Sequence, residues 1–203
     1  MSKIKLRGGA LLAPVPPVMV SCGTMERANI LTVAWTGILN TIPPKTYISV
    51  RKKRHSYLII KDRGEFILNL TPTALVRAAD YCGTFTGAKV DKFQKCGLTP
   101  IKAEEVDAPL IAECPISLCC RVTDVVEMGS HDMFVADIVA VYADESLLDE
   151  QGKLHIERAD LCAYAHGDYY ALGKQIGRFG FSAAKRKSHP PRTPHPQNKK
   201  KNK

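Results

Sequence analysis

The sequence lacks any apolar run approaching the roughly 18 residues that a membrane-spanning helix requires. One apolar stretch near the N-terminus follows three basic residues and ends at Val20-Ser21-Cys22, which superficially resembles an export signal. Pro14, Pro16 and Pro17 interrupt it and would break the helix that such a signal needs. We therefore expect a cytoplasmic protein that is not attached to a membrane.

The seven cysteines form no C-x-x-C motif, and their number is odd. Neither a disulfide framework nor a zinc site is indicated, and we predict no metal centre. Reduced thiols in a reducing compartment fit this pattern. Cys114, Cys119 and Cys120 lie in an apolar stretch and are predicted to be core residues. Cys82, in a predicted loop beside Gly83, is the candidate for redox reactivity.

A dinucleotide fingerprint is also missing, since no G-x-G-x-x-G follows any predicted strand. Strands do not alternate with helices, which argues against a doubly wound sheet. No Ser-His-Asp or paired-carboxylate arrangement is identified.

Positive charge is plentiful, with a formal net charge of +9, but it is concentrated at the C-terminus. Eight basic residues and no acidic one lie between Lys185 and the end, which leaves 21 basic against 20 acidic residues elsewhere. We predict one domain over residues 1–184 and a disordered basic tail over 185–203. The tail would attract nucleic acid weakly and without sequence preference. Because it has no aromatic residue to stack on bases, nucleic-acid binding is expected to be at most an accessory role.

Local patterns predict mostly strands, at 18–23, 30–35, 47–50 and 65–70, with Pro43-Pro44 as a connection. Two helices are expected, one capped by Ser56 and stopped by Gly64, the other starting at Thr71-Pro72 and running to Tyr81. The segment 82–109 is expected to be irregular. Two long strands over 110–141 should form a hairpin that turns at 129–132. The predicted fold is mainly β, a small antiparallel β-barrel with peripheral helices.

Five fragments, in this order and at this spacing, carry a resemblance to a known family: 29–37, Pro43-Pro44, 48–57, 64–70 and 129–134. From about Pro14 to about Phe181, the chain resembles the flavin reductase-like, FMN-binding split-barrel family. It is most similar to the flavoredoxin and archaeal ferric-reductase-like branch. The resemblance implies FMN as cofactor and a homodimer with flavin near the interface.

The run from Arg51 to Ser56 ends a strand and opens a helix, which brings cations, a hydroxyl and free N–H groups together. Such a group suits a phosphate, and the resemblance implies that Arg51, Lys53 and Ser56 contact it. A solvated basic turn is the alternative.

Trp35, the only tryptophan, lies at a strand end and is either a core residue or a surface for a planar ligand. The resemblance favours the second reading.

The same resemblance implies further contacts to the flavin. Backbone groups of Ala34 and Thr36 would meet the polar edge of the ring, and Asn69 would assist. Lys92 would place positive charge near N1 and the C2 carbonyl, although an ordinary surface lysine is equally compatible with the sequence. His131 would donate to the flavin or steer a nicotinamide, and Tyr164, expected after the final strand, would cover the ring.

The function implied is electron transfer from reduced nicotinamide through bound flavin to free flavin, a ferric chelate or a protein acceptor. The alternative is a flavoredoxin-type electron-transfer protein without its own nicotinamide site. The sequence does not separate the two.

Overall fold

The structure is a computed structural model, and it describes residues 1–183. The prediction of a disordered tail over 185–203 falls outside these residues and stays a prediction. Residues Met1–Leu172 form one unit, and Gly173 begins a second. No helix of the described residues is long and apolar enough to cross a membrane.

Strands dominate the first unit, and within it the bounds are β1 Val18–Cys22, β2 Asn29–Val33, β3 Thr36–Thr41, β4 Pro44–Val50, β5 Glu65–Leu70, β6 Pro100–Lys102, β7 Pro109–Ile111, β8 Ile116–Glu127, β9 Asp132–Ala143, β10 Cys162–Ala165 and β11 Asp168–Ala171. The helices are α1 His55–Arg63, α2 Val76–Thr84 and α3 Lys92–Cys96, with single 3-10 turns at Thr73–Leu75, Glu145–Leu147 and Ile156–Arg158. The predicted mainly β class with peripheral helices is confirmed.

Seven strands form one antiparallel sheet in the order β2-β1-β5-β8-β9-β4-β3. Its two edge strands, β2 and β3, are consecutive in sequence and are separated only by Ala34 and Trp35. In a flat sheet these edges would lie about 28 Å apart, at roughly 4.7 Å per strand. The step from Val33 to Thr36 reaches about 11 Å at most, at 3.8 Å per residue. The sheet must therefore curl until its two edges meet, which makes an open barrel.

Alternation along β1 explains how the barrel is packed. Val18 and Val20 point into a cluster shared with Leu31 of β2 and Phe134 of β9. Met19, between them, points to the other face and joins a second cluster under α2 and α3. Because successive side chains of a strand point to opposite faces, β1 is buried on both sides, as its apolar sequence requires.

Helix α1 ends as predicted, with Gly64 in the left-handed conformation at φ 67°. The predicted start was wrong, because Arg54 is the N-cap and Ser56 lies inside the first turn. No side chain caps this helix. Tyr57 N–H donates to the carbonyl of Arg54 at 2.9 Å, and the N–H groups of His55 and Ser56 are left for another acceptor.

The second helical segment differs from the prediction. Thr71 does not cap it; a 3-10 turn precedes α2, which begins at Val76 and ends at Thr84 instead of at Tyr81. Cys82 therefore lies inside a helix and not in a loop. The expected irregularity of residues 82–109 was also wrong, since this segment contains α3, β6 and the start of β7.

The long hairpin is confirmed, with β8 and β9 paired along their length from Ile116 and Ala143 to Glu127 and Asp132. Its first strand begins at Ile116 and not at residue 110, because Pro109–Ile111 forms β7, which pairs with β6. It carries His131 at its tip. Tyr164 was expected after the final strand, but it lies within β10, opposite Tyr169 of β11.

Candidate functional site

A cavity of about 380 Å³ opens where β2, β4, α2 and the β8–β9 hairpin meet, and we call it the aromatic cavity. Its lining comprises Pro17, Leu31, Thr32, Val33, Ala34, Trp35, Ser49, Val50, Arg51, Arg54, Asp80, Gly83, Thr84, His131, Tyr164 and Tyr169. Curling of the sheet creates it, since β2 and β4 approach each other only because the barrel closes.

Trp35 and His131 form one wall of the aromatic cavity. Their ring centroids are 4.6 Å apart, with a 43° angle between the planes. The indole is 46% exposed, which rules out the core alternative for Trp35. A large aromatic ring kept at a cavity wall offers a flat apolar surface to a ligand.

Burial and the contact with Arg51 together favour the neutral form of His131. The Arg51 Nε donates to His131 Nε2 at 3.3 Å, while Nδ1 lies 2.9 Å from Ser130 Oγ. An imidazole that accepts at Nε2 is neutral and carries its proton on Nδ1. Partial burial and the nearby charges of Arg51 and Arg54 lower the pKa of His131. The cavity therefore presents a neutral ring here.

Two tyrosines close the opposite side. Tyr164 and Tyr169 pack edge to face, with centroids 5.2 Å apart. Tyr169 donates to Asp80 Oδ1 at 3.4 Å, and burial raises its pKa to about 12. The Tyr169 phenol therefore stays neutral at physiological pH, and both tyrosines contribute ring surface.

A second cavity of about 330 Å³ adjoins the first, and we call it the basic cavity. The two share Leu31, Arg51 and Arg54 in their walls. The remaining lining residues of the basic cavity are Lys53, His55, Ser56, Phe85, Thr86, Gly87 and Lys92. No carboxylate lines it, and among the described residues Arg51, Lys53 and Arg54 form no ion pair.

Lys92 is the unusual member of this set, because only 3% of it is exposed. Its Nζ donates to the carbonyl oxygens of Ile30 at 2.6 Å and Cys82 at 2.8 Å. No carboxylate of the described residues pairs with it, and burial lowers its pKa. An ammonium has three protons to donate, so one remains for a group in the cavity. The surface alternative for Lys92 was wrong.

The start of α1 forms the opposite wall. Ser56 is 2% exposed and accepts a hydrogen bond from Asn29 Nδ2 at 2.6 Å. Gly87 packs so closely here that an added Cβ would lie 1.9 Å from Asn29 Oδ1. Only a residue without a side chain fits at this position.

The family model described as "Flavin reductase like domain" matches residues 11–173. This chain belongs to the flavin reductase-like family. The resemblance inferred from the sequence motifs is thereby confirmed.

Two of the solved structures that are similar to this chain are flavoredoxins. That of Desulfovibrio vulgaris (Miyazaki F) is 35% identical, with a TM-score of 0.82, and the match covers 90% of this chain and 99% of that chain. That of Methanosarcina acetivorans is 29% identical, also with a TM-score of 0.82, over 91% and 100% of the two chains. An FMN-binding protein of Thermus thermophilus shares the fold at 24% identity and a TM-score of 0.74, over 88% and 99%. The predicted split-barrel fold is confirmed.

Among sequence relatives, an uncharacterised protein of Archaeoglobus fulgidus is 31% identical over 138 residues. The match covers 68% of this chain and 77% of that protein.

The structure brings together most of the site residues predicted for this flavin reductase-like chain. The aromatic cavity contains Ala34, Trp35, His131 and Tyr164, and the basic cavity contains Lys53 and Ser56, with Arg51 in both. Thr36 lies next to the first group, but its hydroxyl is bonded to Tyr47 O at 2.5 Å and it does not line either cavity.

Two further residues expected at the flavin ring lie outside the aromatic cavity. Lys92 lines the basic cavity and not the aromatic one, and its expected place beside N1 and C2 of the flavin ring stays a prediction. Asn69 is fully buried in the sheet, where it donates to Met19 O and Ser21 Oγ, both at 2.9 Å, and accepts from Ser117 Oγ at 2.8 Å. It lines neither cavity and acts as a core hydrogen-bonding residue.

Sequence reasoning did not select Arg54, His55, Asn29, Gly87 and Tyr169 as site residues. The first two lie within the basic run and share its signal. The others come from separate strands and loops, and only the closed barrel brings them to the cavities.

Proposed function

We propose that this protein binds FMN and acts as an oxidoreductase that moves electrons from a reduced nicotinamide through the flavin to an acceptor. The observation that carries the proposal is the junction of an aromatic cavity with a basic cavity that has no carboxylate in its lining. FMN has the matching division, a planar ring at one end and a dianionic phosphate at the other.

The basic cavity supports a phosphate site. Lys92 is buried without a carboxylate partner among the described residues, and an isolated buried charge is costly unless an anion compensates it. The N-terminus of α1 has no side-chain cap and faces the same cavity, where the N–H groups of His55 and Ser56 would add donors. Arg51, Lys53 and Arg54 would complete the cradle.

The aromatic cavity supports a ring site. Trp35, His131 and Tyr164 would surround the planar group, and backbone atoms of Ala34 would meet its polar edge. The neutral His131 would orient this group without adding charge, since Arg51 holds the imidazole from Nε2. When bound, the flavin supplies the redox chemistry, accepting electrons from the donor and passing them to free flavin, a ferric chelate or a protein.

A second candidate is an electron-transfer protein without its own nicotinamide site. The observation that favours it is the similarity to two flavoredoxin structures at 35% and 29% identity. The two candidates share the flavin and differ only in the donor.

The visible absorbance of the purified protein tests both candidates. After reconstitution with FMN under anaerobic conditions, we expect flavin bands that bleach when NADH or NADPH is added. Bands that bleach with dithionite but not with either nicotinamide would support the second candidate. A protein that cannot retain FMN would refute both candidates. If FMN binds specifically in the basic cavity, the variant Lys92→Met should retain less FMN than the unmodified protein.

We also propose a homodimer in the cytoplasm. Large apolar side chains are exposed on the β3–β4 hairpin, where Ile38 is 64% and Ile42 is 90% exposed, and on β9, where Val141 is 55% exposed. Exposed apolar patches commonly mark protein interfaces. Light scattering after size exclusion should give twice the mass of the 22.3 kDa chain.

The cytoplasmic location rests on the thiols. All seven cysteines are unpaired, which agrees with a reducing compartment.

A further inference from the structure

Two cysteines from different helices lie in contact behind the basic cavity. The sulfur atoms of Cys82, in α2, and Cys96, the last residue of α3, are 4.0 Å apart. Cys82 is fully buried, whereas Cys96 is partly exposed. Of the seven unpaired cysteines, these are the two whose sulfur atoms are in contact across separate elements of the described chain.

We propose that Cys82 and Cys96 form a reversible disulfide under peroxide stress, and that this bond controls access of the phosphate group to the basic cavity. The second half of the proposal rests on the proposed function, because it assumes a phosphate-bearing ligand there. The first half rests only on the contact between the sulfur atoms.

The chemistry begins at the exposed thiol. The Cys96 thiolate attacks hydrogen peroxide, which breaks the O–O bond, gives a sulfenic acid and releases hydroxide. The Cys82 sulfur then attacks the Cys96 sulfur, the S–O bond breaks, and water leaves as the disulfide forms. Peroxide is reduced by two electrons, and the two thiols are oxidised by two.

Burial and the neighbouring Cys96 raise the pKa of Cys82 to about 12. Its thiolate is therefore scarce at neutral pH, and the second step is expected to be slow and to accelerate with rising pH. The exposure of Cys96 and the raised pKa of Cys82 together explain why Cys96 reacts first and Cys82 reacts second.

Lys92 connects the thiol pair to the cavity. It begins the same five-residue helix that Cys96 ends, and its ammonium is bonded to the carbonyl oxygen of Cys82 itself. A disulfide requires a sulfur separation of about 2.05 Å, so the two sulfurs must approach by roughly 2 Å. Lys92 lies on α3 and its acceptor, the carbonyl of Cys82, lies on α2, so the part of this approach that the two helices take up shifts α3 against α2. The Lys92 ammonium is then displaced from the position in which it faces the cavity.

Peptide mapping tests the bond. Trypsin cleaves after Arg77, Lys89, Lys95 and Lys102, so Cys82 and Cys96 fall in two separate peptides, 78–89 and 96–102. After peroxide treatment of the full chain we expect these peptides linked, with the loss of two hydrogen atoms in mass, and separated again by dithiothreitol. Cys96→Ser should abolish the link, while Cys114→Ala, in the same core cluster, should retain it. Oxidation of Cys96 to a sulfinic acid without any link would overturn the proposal.

Ligand affinity tests the control. FMN titration should show a Kd about tenfold weaker in the oxidised protein, a change of ~1.4 kcal/mol, and full recovery on reduction. Cys96→Ser should bind FMN equally well before and after peroxide. An oxidised protein that carries the link but binds FMN unchanged would overturn the control. A reduced protein that binds no FMN would instead refute the proposed function while leaving the mapped disulfide intact.

Discussion

The imidazole of His131 packs against the indole of Trp35, with 4.6 Å between ring centroids, although Trp35 lies between the two edge strands of the sheet and His131 lies at the tip of the hairpin of its central strands β8 and β9. The contact joins the β2–β3 connection to the tip of the β8–β9 hairpin. Both rings face the aromatic cavity. A planar ligand would therefore meet a wall built from two distant parts of the chain.

Replacement of Trp35 should weaken flavin binding. The half-exposed indole offers a stacking surface, and such stacking contributes ~1–3 kcal/mol per planar group. We expect Trp35→Ala to raise the Kd for FMN at least fivefold (about 1 kcal/mol), measured by the quenching of flavin fluorescence. Trp35→Phe, which keeps an aromatic ring, should recover most of the affinity. In the unmodified protein the single tryptophan should itself be quenched on binding, and unaltered emission would contradict this placement.

Removal of the Arg51 side chain should raise the pKa of His131. Partial burial is the first cause of the lowered value, and the charges of Arg51 and Arg54 add to it. Arg51→Ala removes one charge and the donor to Nε2, so the pKa should move back toward about 6.5, the value of an unperturbed histidine. Titration of the His131 ring protons by NMR measures this shift.

The sign of the pH effect on stability follows from the same shift. A folded pKa below the unfolded one means that the unfolded chain binds the proton first as pH falls. The contribution of His131 is therefore complete above about pH 6.5 and is lost as the pH falls through its folded pKa. In Arg51→Ala this loss should be smaller, and denaturant unfolding at several pH values measures it. An equal or larger acid loss in the variant would contradict the assignment.

Lys92 should matter more for ligand binding than any exposed lysine. A hydrogen bond to a charged group contributes about 1.5–3 kcal/mol, so Lys92→Met should weaken FMN at least tenfold. Lys95→Met, on the same helix but exposed, is the matched control and should bind normally. Isothermal titration with FMN and with riboflavin distinguishes the roles. Riboflavin lacks the phosphate, so its affinity should hardly change; a parallel loss for both ligands would assign Lys92 to the ring instead.

Gly87 should tolerate no side chain. A Cβ there would lie 1.9 Å from Asn29 Oδ1 and 2.7 Å from its Cγ, so the Asn29–Ser56 pair would have to move. Overpacking of this kind costs about 1–3 kcal/mol. We expect Gly87→Ala to lower the free energy of unfolding by that amount and to weaken FMN, as measured by urea unfolding and titration. Gly8→Ala, where no atom lies within 4 Å of the new Cβ, should change neither.

Elements with long, regular patterns could be predicted from the sequence. The β8–β9 hairpin has two apolar runs and a glycine turn, and it forms as expected. Helix α3 was missed because it has only five residues. Its local signals were Asp91, which caps it at 3.0 Å from Gln94 N, and the left-handed Gly97.

Site residues could be predicted where one continuous segment supplies them, as with Arg51, Lys53 and Ser56. Asn69 shows why others could not. In β5, Phe66 and Leu68 face the barrel interior, and Asn69 points to the opposite face because neighbouring residues alternate. A strand prediction without its register leaves that choice open. The burial of Lys92 depends on carbonyl groups of β2 and α2, which no local pattern reveals.

The two-residue step between β2 and β3 has a thermodynamic consequence. Ala34 and Trp35 join the edge strands β2 and β3 of the open barrel, a junction that we call the seam. The same two residues line the aromatic cavity. A ligand held there must leave before the seam widens. At a concentration one hundred times its Kd, such a ligand would add about 2.7 kcal/mol to the cost of opening. Occupancy of the cavity and the lifetime of the closed seam therefore rise together.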